Sequence, residues 1–118
     1  MHRVLLLGAG KIGRMIARFL VDSGDYSVKV GDAEPAALKR ISDRVSVETV
    51  VIDASDEKQL TAAMQGYNSV ISALSYSHNP AVARAALATG ASYFDLTEDV
   101  ATTREVREIS ARAAKGQI

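Results

Sequence analysis

Short apolar runs rich in β-branched residues alternate along this chain with longer segments in which apolar residues recur at helical spacing. This alternation is typical of parallel strands joined by helices, because a parallel connection needs a crossover long enough to form a helix. The sequence therefore predicts an α/β fold. The predicted strands cover residues 3–7, 27–31, 47–52, 69–73 and 92–96, and the predicted helices cover about 11–23, 34–43, 56–65, 79–89 and 97–114.

Turn residues and apolar spacing support these elements. Gly24, Gly66 and Gly90 each follow a predicted helix, where glycine commonly ends it. Residues 74–79 are predicted to form a polar loop. The first predicted helix has apolar residues at i, i+4, i+7 and i+8, the spacing of an amphipathic helix. Those residues are Ile12, Ile16, Phe19 and Leu20, and the last predicted helix likewise has Val106, Ile109 and Ala113 on one face.

The composition is that of one ordinary soluble domain of 118 residues, with 47% hydrophobic residues and a formal net charge of zero. The chain has no Cys, which excludes a disulfide scaffold. Zero net charge disfavours nucleic acid as a partner. No apolar run approaches the roughly 20 residues that span a bilayer, so we expect no membrane partner and a cytoplasmic protein.

A glycine-rich sequence, Gly-Ala-Gly-Lys-Ile-Gly at residues 8–13, directly follows the first predicted strand and opens the first predicted helix. In that context Gly8 makes a tight turn, Gly10 lets the backbone approach a pyrophosphate, and Gly13 lets the helix pack closely on the strand. The helix N-terminus then presents N–H groups and a positive dipole to phosphates. The motif therefore predicts a dinucleotide-binding site.

Asp32 ends the second predicted strand, 19 residues after Gly13, where a carboxylate can accept hydrogen bonds from both ribose hydroxyls of an adenosine. The same carboxylate would repel a 2′-phosphate, and no Lys or Arg follows before Lys39. We therefore expect NAD as the cofactor, with NADP as the alternative. A plain turn residue ahead of Pro35 is the other interpretation of Asp32.

Other classes of site fit these residues poorly. A P-loop requires Lys and then Ser or Thr after its glycines, whereas Arg14 and Met15 follow Gly13. A short-chain dehydrogenase has Tyr and Lys four residues apart, and none of the four tyrosines is followed by Lys at that spacing. We expect no metal site, because His2 and His78 offer no ligand spacing and Cys is absent.

Residues that end the third and fourth predicted strands should also face the cofactor, because ligands of open α/β sheets bind beyond the carboxyl ends of the strands. Asp53 and Ala54 are placed to meet the adenine amino group, although a turn ahead of Asp56 explains Asp53 equally well. Small residues at 72–74 would let the nicotinamide ribose approach the backbone. His78 is either an acid or base near the nicotinamide or a solvated loop residue. The residues that we expect to contact the dinucleotide are Gly8, Gly10, Lys11, Ile12, Gly13, Asp32, Asp53, Ala54, Ser72, Ala73 and Leu74.

Three segments together resemble the N-terminal nucleotide-binding domain of the saccharopine dehydrogenase family. They are residues 4–13, residues 51–56 after the third predicted strand, and residues 93–98 at the fifth. The last is the most specific, since its Tyr-Phe-Asp-Leu-Thr sequence looks like the Tyr-x-Asp-Leu-(Ser/Thr) segment of that family. The similarity covers essentially the whole chain.

This resemblance implies an oxidoreductase that binds NAD(P) and handles a secondary amine formed from an amino acid or polyamine and a carbonyl compound. Family members carry their substrate residues largely in a following domain. We therefore expect an N-terminal fragment of a longer enzyme, which binds cofactor without turning over substrate, and we assign no catalytic acid or base. Cytosolic regulatory domains of potassium transporters resemble residues 8–13 and 53–56 equally well, which implies a nucleotide-sensing module instead. Residues 95–98 speak against that alternative.

The expected fold is a doubly wound Rossmann domain over residues 1–118, with a parallel sheet in the order 3-2-1-4-5, right-handed crossovers and helices on both faces. The sequence leaves the oligomeric state open. An edge at the fifth strand, uncovered by a missing sixth strand, could pair this fragment into a homodimer as an artefact of the fragment.

Overall fold

The structure, a computed structural model, describes residues 2–96. Among these residues, no helix is both long enough and apolar enough to cross a membrane. The predicted helix at 97–114 lies outside the described residues. The strands are β1 (His2–Leu7), β2 (Tyr26–Asp32), β3 (Glu48–Val51), β4 (Ser69–Ser72) and β5 (Ser92–Asp95), and the helices are α1 (Lys11–Ser23), α2 (Pro35–Ser42), α3 (Glu57–Met64) and α4 (Asn79–Thr89).

All five strands run parallel in one sheet, in the order β3-β2-β1-β4-β5. The predicted topology is therefore confirmed. Leu7 at the end of β1 pairs with Gly31 of β2 on one side and with Ser72 of β4 on the other. Because the strands are parallel, their carboxyl ends form one edge of the sheet, and the predicted site residues follow at that edge.

Alternate side chains of the central strand β1 enter two separate cores. Leu5 and Leu7 pack with residues of α3 and α4 on one face, and Leu6 packs with residues of α1 and α2 on the other. All three side chains are fully buried. A strand covered on both faces reads as a continuous apolar run, which is how β1 appears in the sequence.

Helix α1 packs on the sheet through its smallest residues. Its buried residues are Gly13 and Ala17, whereas Ile12 is 55% exposed and Phe19 is 74% exposed. The apolar spacing predicted one face formed by Ile12, Ile16, Phe19 and Leu20. Of these four, only Ile16 and Leu20 pack against the core. Ile12 and Phe19 lie outside, whereas the small residues Gly13 and Ala17 let the helix approach the sheet closely.

The connection after β4 differs from the predicted loop. A 3-10 turn at Tyr76–His78 leads directly into α4, which begins at Asn79. Proline is well suited to the first turn of a helix because its missing N–H has no partner there, and Pro80 lies in that turn. Seven of the ten strand ends differ from the predictions, each by one residue. Strands β3, β4 and β5 are shorter than predicted, because an apolar run can extend beyond the hydrogen-bonded ladder. Strands β1 and β2 are longer, because the ladder also includes His2, Tyr26 and Asp32.

Candidate functional site

The turn between β1 and α1 requires glycine at its first position. Gly8 has a φ of +105°, which L side chains rarely adopt, and a Cβ atom there would lie 2.8 Å from the carbonyl oxygen of Ala73. The Gly8 N–H donates to the carbonyl of Gly31 at 2.8 Å. The turn is therefore held against the ends of both β2 and β4.

The other two glycines of the motif have different surroundings. A Cβ atom on Gly13 would lie 1.9 Å from the Gly8 carbonyl oxygen, so only glycine lets α1 begin so close to the turn. A Cβ atom on Gly10 would meet nothing within 4 Å among the described residues. The backbone at Gly10 therefore faces open space.

The N-terminus of α1 opens toward that space. The first N–H groups of a helix have no partner within it, and Gly10 at the N-cap has no side chain to accept from them. The Arg14 N–H donates to the Gly10 carbonyl at 2.9 Å. Helix α1 has 13 residues, so its dipole is well developed at this end. These groups fit the pyrophosphate of a dinucleotide.

Asp32 is half-buried at the end of β2, and its carboxylate accepts two backbone hydrogen bonds. Oδ2 accepts from the N–H of Ala9 at 2.7 Å, and Oδ1 accepts from the N–H of Glu34 at 2.8 Å. A carboxylate offers about four acceptor positions, so capacity for ribose hydroxyls remains. The carboxylate thus fixes the glycine turn and faces the edge where the cofactor is expected.

A small cavity of about 90 Å³ lies beside Asp32 at this edge. It collects residues from the ends of β1 to β4, including three that the sequence singled out for cofactor contact, and it also contains His78. Gly31 was missed, although an isolated glycine within a strand is a known sign of close backbone approach. The lining residues are Leu7, Gly31, Asp32, Ala33, Ile52, Ala54, Leu74 and His78.

Asp53 is exposed and folds back onto its own turn. The hydroxyl of Ser55 donates to Asp53 Oδ1 at 2.6 Å, and the Ser55 N–H donates to the same oxygen at 3.0 Å. These hydrogen bonds lower the pKa of Asp53, and the nearby His78 acts in the same direction. The carboxylate is therefore ionised at neutral pH, and it is Ala54 that lines the cavity.

Ser72 and Ala73 have different surroundings at the end of β4. Ser72 is buried, and its hydroxyl donates to Oδ1 of Asn79 at 2.7 Å, so this side chain faces the interior. Ala73 packs against the glycine turn and donates its N–H to the Leu7 carbonyl at 2.8 Å. The sequence identified Asn79 only as a helix start and gave no sign of this pairing.

The two remaining motif residues lie on the first turn of α1. Ile12 is exposed there. Lys11 lines a separate cleft of about 200 Å³ between α1 and the residues after α2, together with Arg14, Arg18 and Arg44. The structure therefore places Lys11 beside other cations, and its contribution to phosphate binding stays a prediction.

The glycine turn, the open N-terminus of α1 and the acidic end of β2 together match a known family. The family model described as the saccharopine dehydrogenase NADP binding domain matches residues 4–118. This chain belongs to that family. The match confirms the first of the two resemblances and favours it over the regulatory domains of potassium transporters.

Solved structures show the same fold at low identity. Saccharopine dehydrogenase (L-Glu forming) from Saccharomyces cerevisiae superposes with a TM-score of 0.81 at 23% identity, covering 90% of this chain and 24% of that one. A Rossmann-fold NAD(P)-binding family protein from Shigella flexneri superposes with a TM-score of 0.74 at 22% identity, covering 98% of this chain and 64% of that one. The NAD(P)-binding domain of an exopolyphosphatase-related protein from Archaeoglobus fulgidus superposes with a TM-score of 0.75 at 16% identity, covering 92% of this chain and 83% of that one.

The family fixes the general role of this saccharopine dehydrogenase-like domain. It is a domain that binds a nicotinamide dinucleotide and belongs to a family of NAD(P)-dependent oxidoreductases. The chain spans about a quarter of the length of the yeast enzyme.

Proposed function

We propose that this domain binds NAD along the carboxyl edge of its sheet. We further propose that it supplies the cofactor site of a larger oxidoreductase acting on a secondary amine, formed from an amino acid or polyamine and a carbonyl compound. The observation that carries the choice of NAD is the half-buried carboxylate of Asp32 beside the small cavity.

The adenosine half is proposed to lie at the end of β2. There the ribose hydroxyls donate to Asp32, whose two backbone donors leave acceptor positions for them. The exposed side chain of Glu34 adds a second negative charge two residues later, and the next cation along the chain is Lys39. A 2′-phosphate at this position would meet the Asp32 carboxylate, with a second acidic residue two positions later in the chain, which favours NAD over NADP.

The pyrophosphate is proposed to lie on the glycine turn, and the nicotinamide half beyond it toward residues 72–74. The supporting observations are the open space at Gly10 and the N–H groups of the first turn of α1. The bound nicotinamide supplies the hydride chemistry, whereas this chain's residues bind and orient the cofactor. Asp53 and Ala54 are proposed to face the adenine from the end of β3.

The proposed substrate class rests on the family resemblance alone. The yeast relative is a saccharopine dehydrogenase, and the present chain spans 24% of its length. We propose that the groups that contact substrate belong to the parts of the enzyme that correspond to the rest of the yeast chain. On this proposal the present domain binds cofactor and does not turn over substrate by itself.

Calorimetric titration with NAD, NADH, NADP, NADPH, ATP and AMP tests the proposal. Tighter binding of NAD or NADH than of the other four supports it. Preference for NADPH would overturn the role of Asp32 in selecting NAD and leave the dinucleotide site standing. Preference for ATP or AMP, with no gain from the nicotinamide half, would overturn the oxidoreductase role and revive the nucleotide-sensing alternative.

A further inference from the structure

Two of the buried polar side chains pair directly beneath the edge that carries the candidate site. Ser72, the last residue of β4, is 1% exposed, and Asn79, the first residue of α4, is 2% exposed. The Ser72 hydroxyl donates to Oδ1 of Asn79 at 2.7 Å. A buried polar group is costly unless it is hydrogen-bonded, and this bond satisfies the Ser72 hydroxyl and the Asn79 amide oxygen together.

The six residues between this pair, 73–78, are named the 73–78 wall here, because three of them, Ala73, Leu74 and His78, border the candidate site. The wall begins at Ala73, whose carbonyl oxygen would lie 2.8 Å from a Cβ atom on Gly8. Farther along, Leu74 and His78 line the cavity beside β2. The buried hydrogen bond joins Ser72 and Asn79, the residues on either side of this wall, and so holds the two ends of the segment together.

We propose that Asn79 is a positioning residue for cofactor binding, acting through Ser72 to hold the 73–78 wall against the glycine turn. This inference rests on the proposed dinucleotide site. Without the hydrogen bond the wall has more conformations, and binding must then select the competent one, which lowers the apparent affinity. The two side chains face the interior, so their substitution changes the wall without removing a group that lines the cavity.

The test compares NADH dissociation constants of the wild type, Ser72→Ala, Asn79→Ala and the double variant, at a temperature where all are folded. Val82→Ala is the matched control, because Val82 is fully buried in α4 and its truncation loosens the core without removing this hydrogen bond. We expect each single variant to bind about tenfold more weakly, and the double variant no more weakly than the weaker single one. The control should stay within about twofold of wild type at a comparable loss of thermal stability.

Amide hydrogen exchange of residues 73–78, measured without cofactor, reads the wall directly and should be faster in both single variants. Unchanged NADH affinity in Ser72→Ala and Asn79→Ala would overturn the inference, and so would an equal loss in Val82→Ala. If Asn79→Ala does not fold, Ser72→Ala, which removes a single oxygen atom, decides. Failure of the wild type itself to bind NADH would instead overturn the proposed function, and this inference with it.

Discussion

The carboxylate of Asp32 accepts a hydrogen bond from the backbone N–H of Ala9 at 2.7 Å, joining residues 23 positions apart in the sequence. Ala9 is the second residue of the glycine turn. The acid expected to bind the adenosine ribose is therefore also part of the framework that shapes the pyrophosphate site. A substitution at Asp32 is expected to affect both, and its controls must separate the two effects.

Asp32→Asn is expected to weaken NADH binding by about tenfold, or about 1.4 kcal/mol, and to leave NADPH binding equal or stronger. Asparagine replaces one of the two oxygens that accept backbone hydrogen bonds and loses the charge that repels a 2′-phosphate. Damage to the turn would weaken the binding of both dinucleotides, whereas loss of ribose recognition weakens NADH binding alone. Titration calorimetry measures both affinities. Asp25→Asn is the control. Asp25 directly precedes the first residue of β2, so this variant removes the same charge at the end of the strand away from the site. Wild-type NADH affinity in the Asp32 variant would contradict the proposal that Asp32 binds the ribose and selects NAD.

Alanine should reduce stability at one glycine of the motif and leave it nearly unchanged at another. Gly13→Ala places a Cβ atom 1.9 Å from the Gly8 carbonyl oxygen, and because both atoms are fixed by backbone we expect a loss of about 1–3 kcal/mol. Gly10→Ala meets no atom within 4 Å in the part of the chain that the structure describes, so stability should change by less than about 1 kcal/mol. Urea unfolding measures both variants.

Gly10→Ala should nevertheless weaken NADH binding by about tenfold, because its methyl group occupies the space in which the pyrophosphate approaches the backbone. Its unchanged stability makes it a clean test of the phosphate site. Wild-type affinity for NADH in this folded variant would mean that the pyrophosphate lies elsewhere.

Tyr93 should make the domain sensitive to alkaline pH. Burial raises the pKa of Tyr93 well above its usual value, and the Asp95 carboxylate, which accepts from its hydroxyl at 2.6 Å, adds to the rise. Since the folded pKa exceeds the unfolded one, this contribution to stability is fully present below about pH 10 and is lost as pH rises further. Tyr93→Phe should flatten the decline in urea midpoint between pH 9 and 11. An equally steep decline in the variant would contradict this origin.

Truncation of a large apolar side chain should reduce stability much more at a buried position than at an exposed one. Leu60→Ala removes a fully buried side chain of α3 and is expected to cost about 2–5 kcal/mol. Phe19→Ala changes a side chain that is 74% exposed, so we expect a cost below about 1 kcal/mol. Chemical denaturation of both variants provides the comparison. A loss at Phe19 as large as that at Leu60 would show that this face of α1 is covered in the folded protein.

The sequence alone determined the order of strands and helices, the sheet topology and the glycine motif. These features depend on local properties: apolar periodicity follows the backbone repeat of each element, and glycines and prolines mark its ends. Helix α1 was predicted with the bounds that the structure shows, Lys11–Ser23. The strand order followed because parallel crossovers are right-handed and a motif of this kind occurs in a known topology.

Only the tertiary structure decided which side of each element meets which neighbour. Phe19 shares the helical spacing of core residues, yet α1 meets the sheet through Gly13 and Ala17, and Phe19 is 74% exposed. The pairs Asp32–Ala9 and Ser72–Asn79 likewise depend on how the chain folds back on itself. Periodicity records the repeat along one element, whereas contact distances and hydrogen-bond partners between elements arise only when the elements pack together.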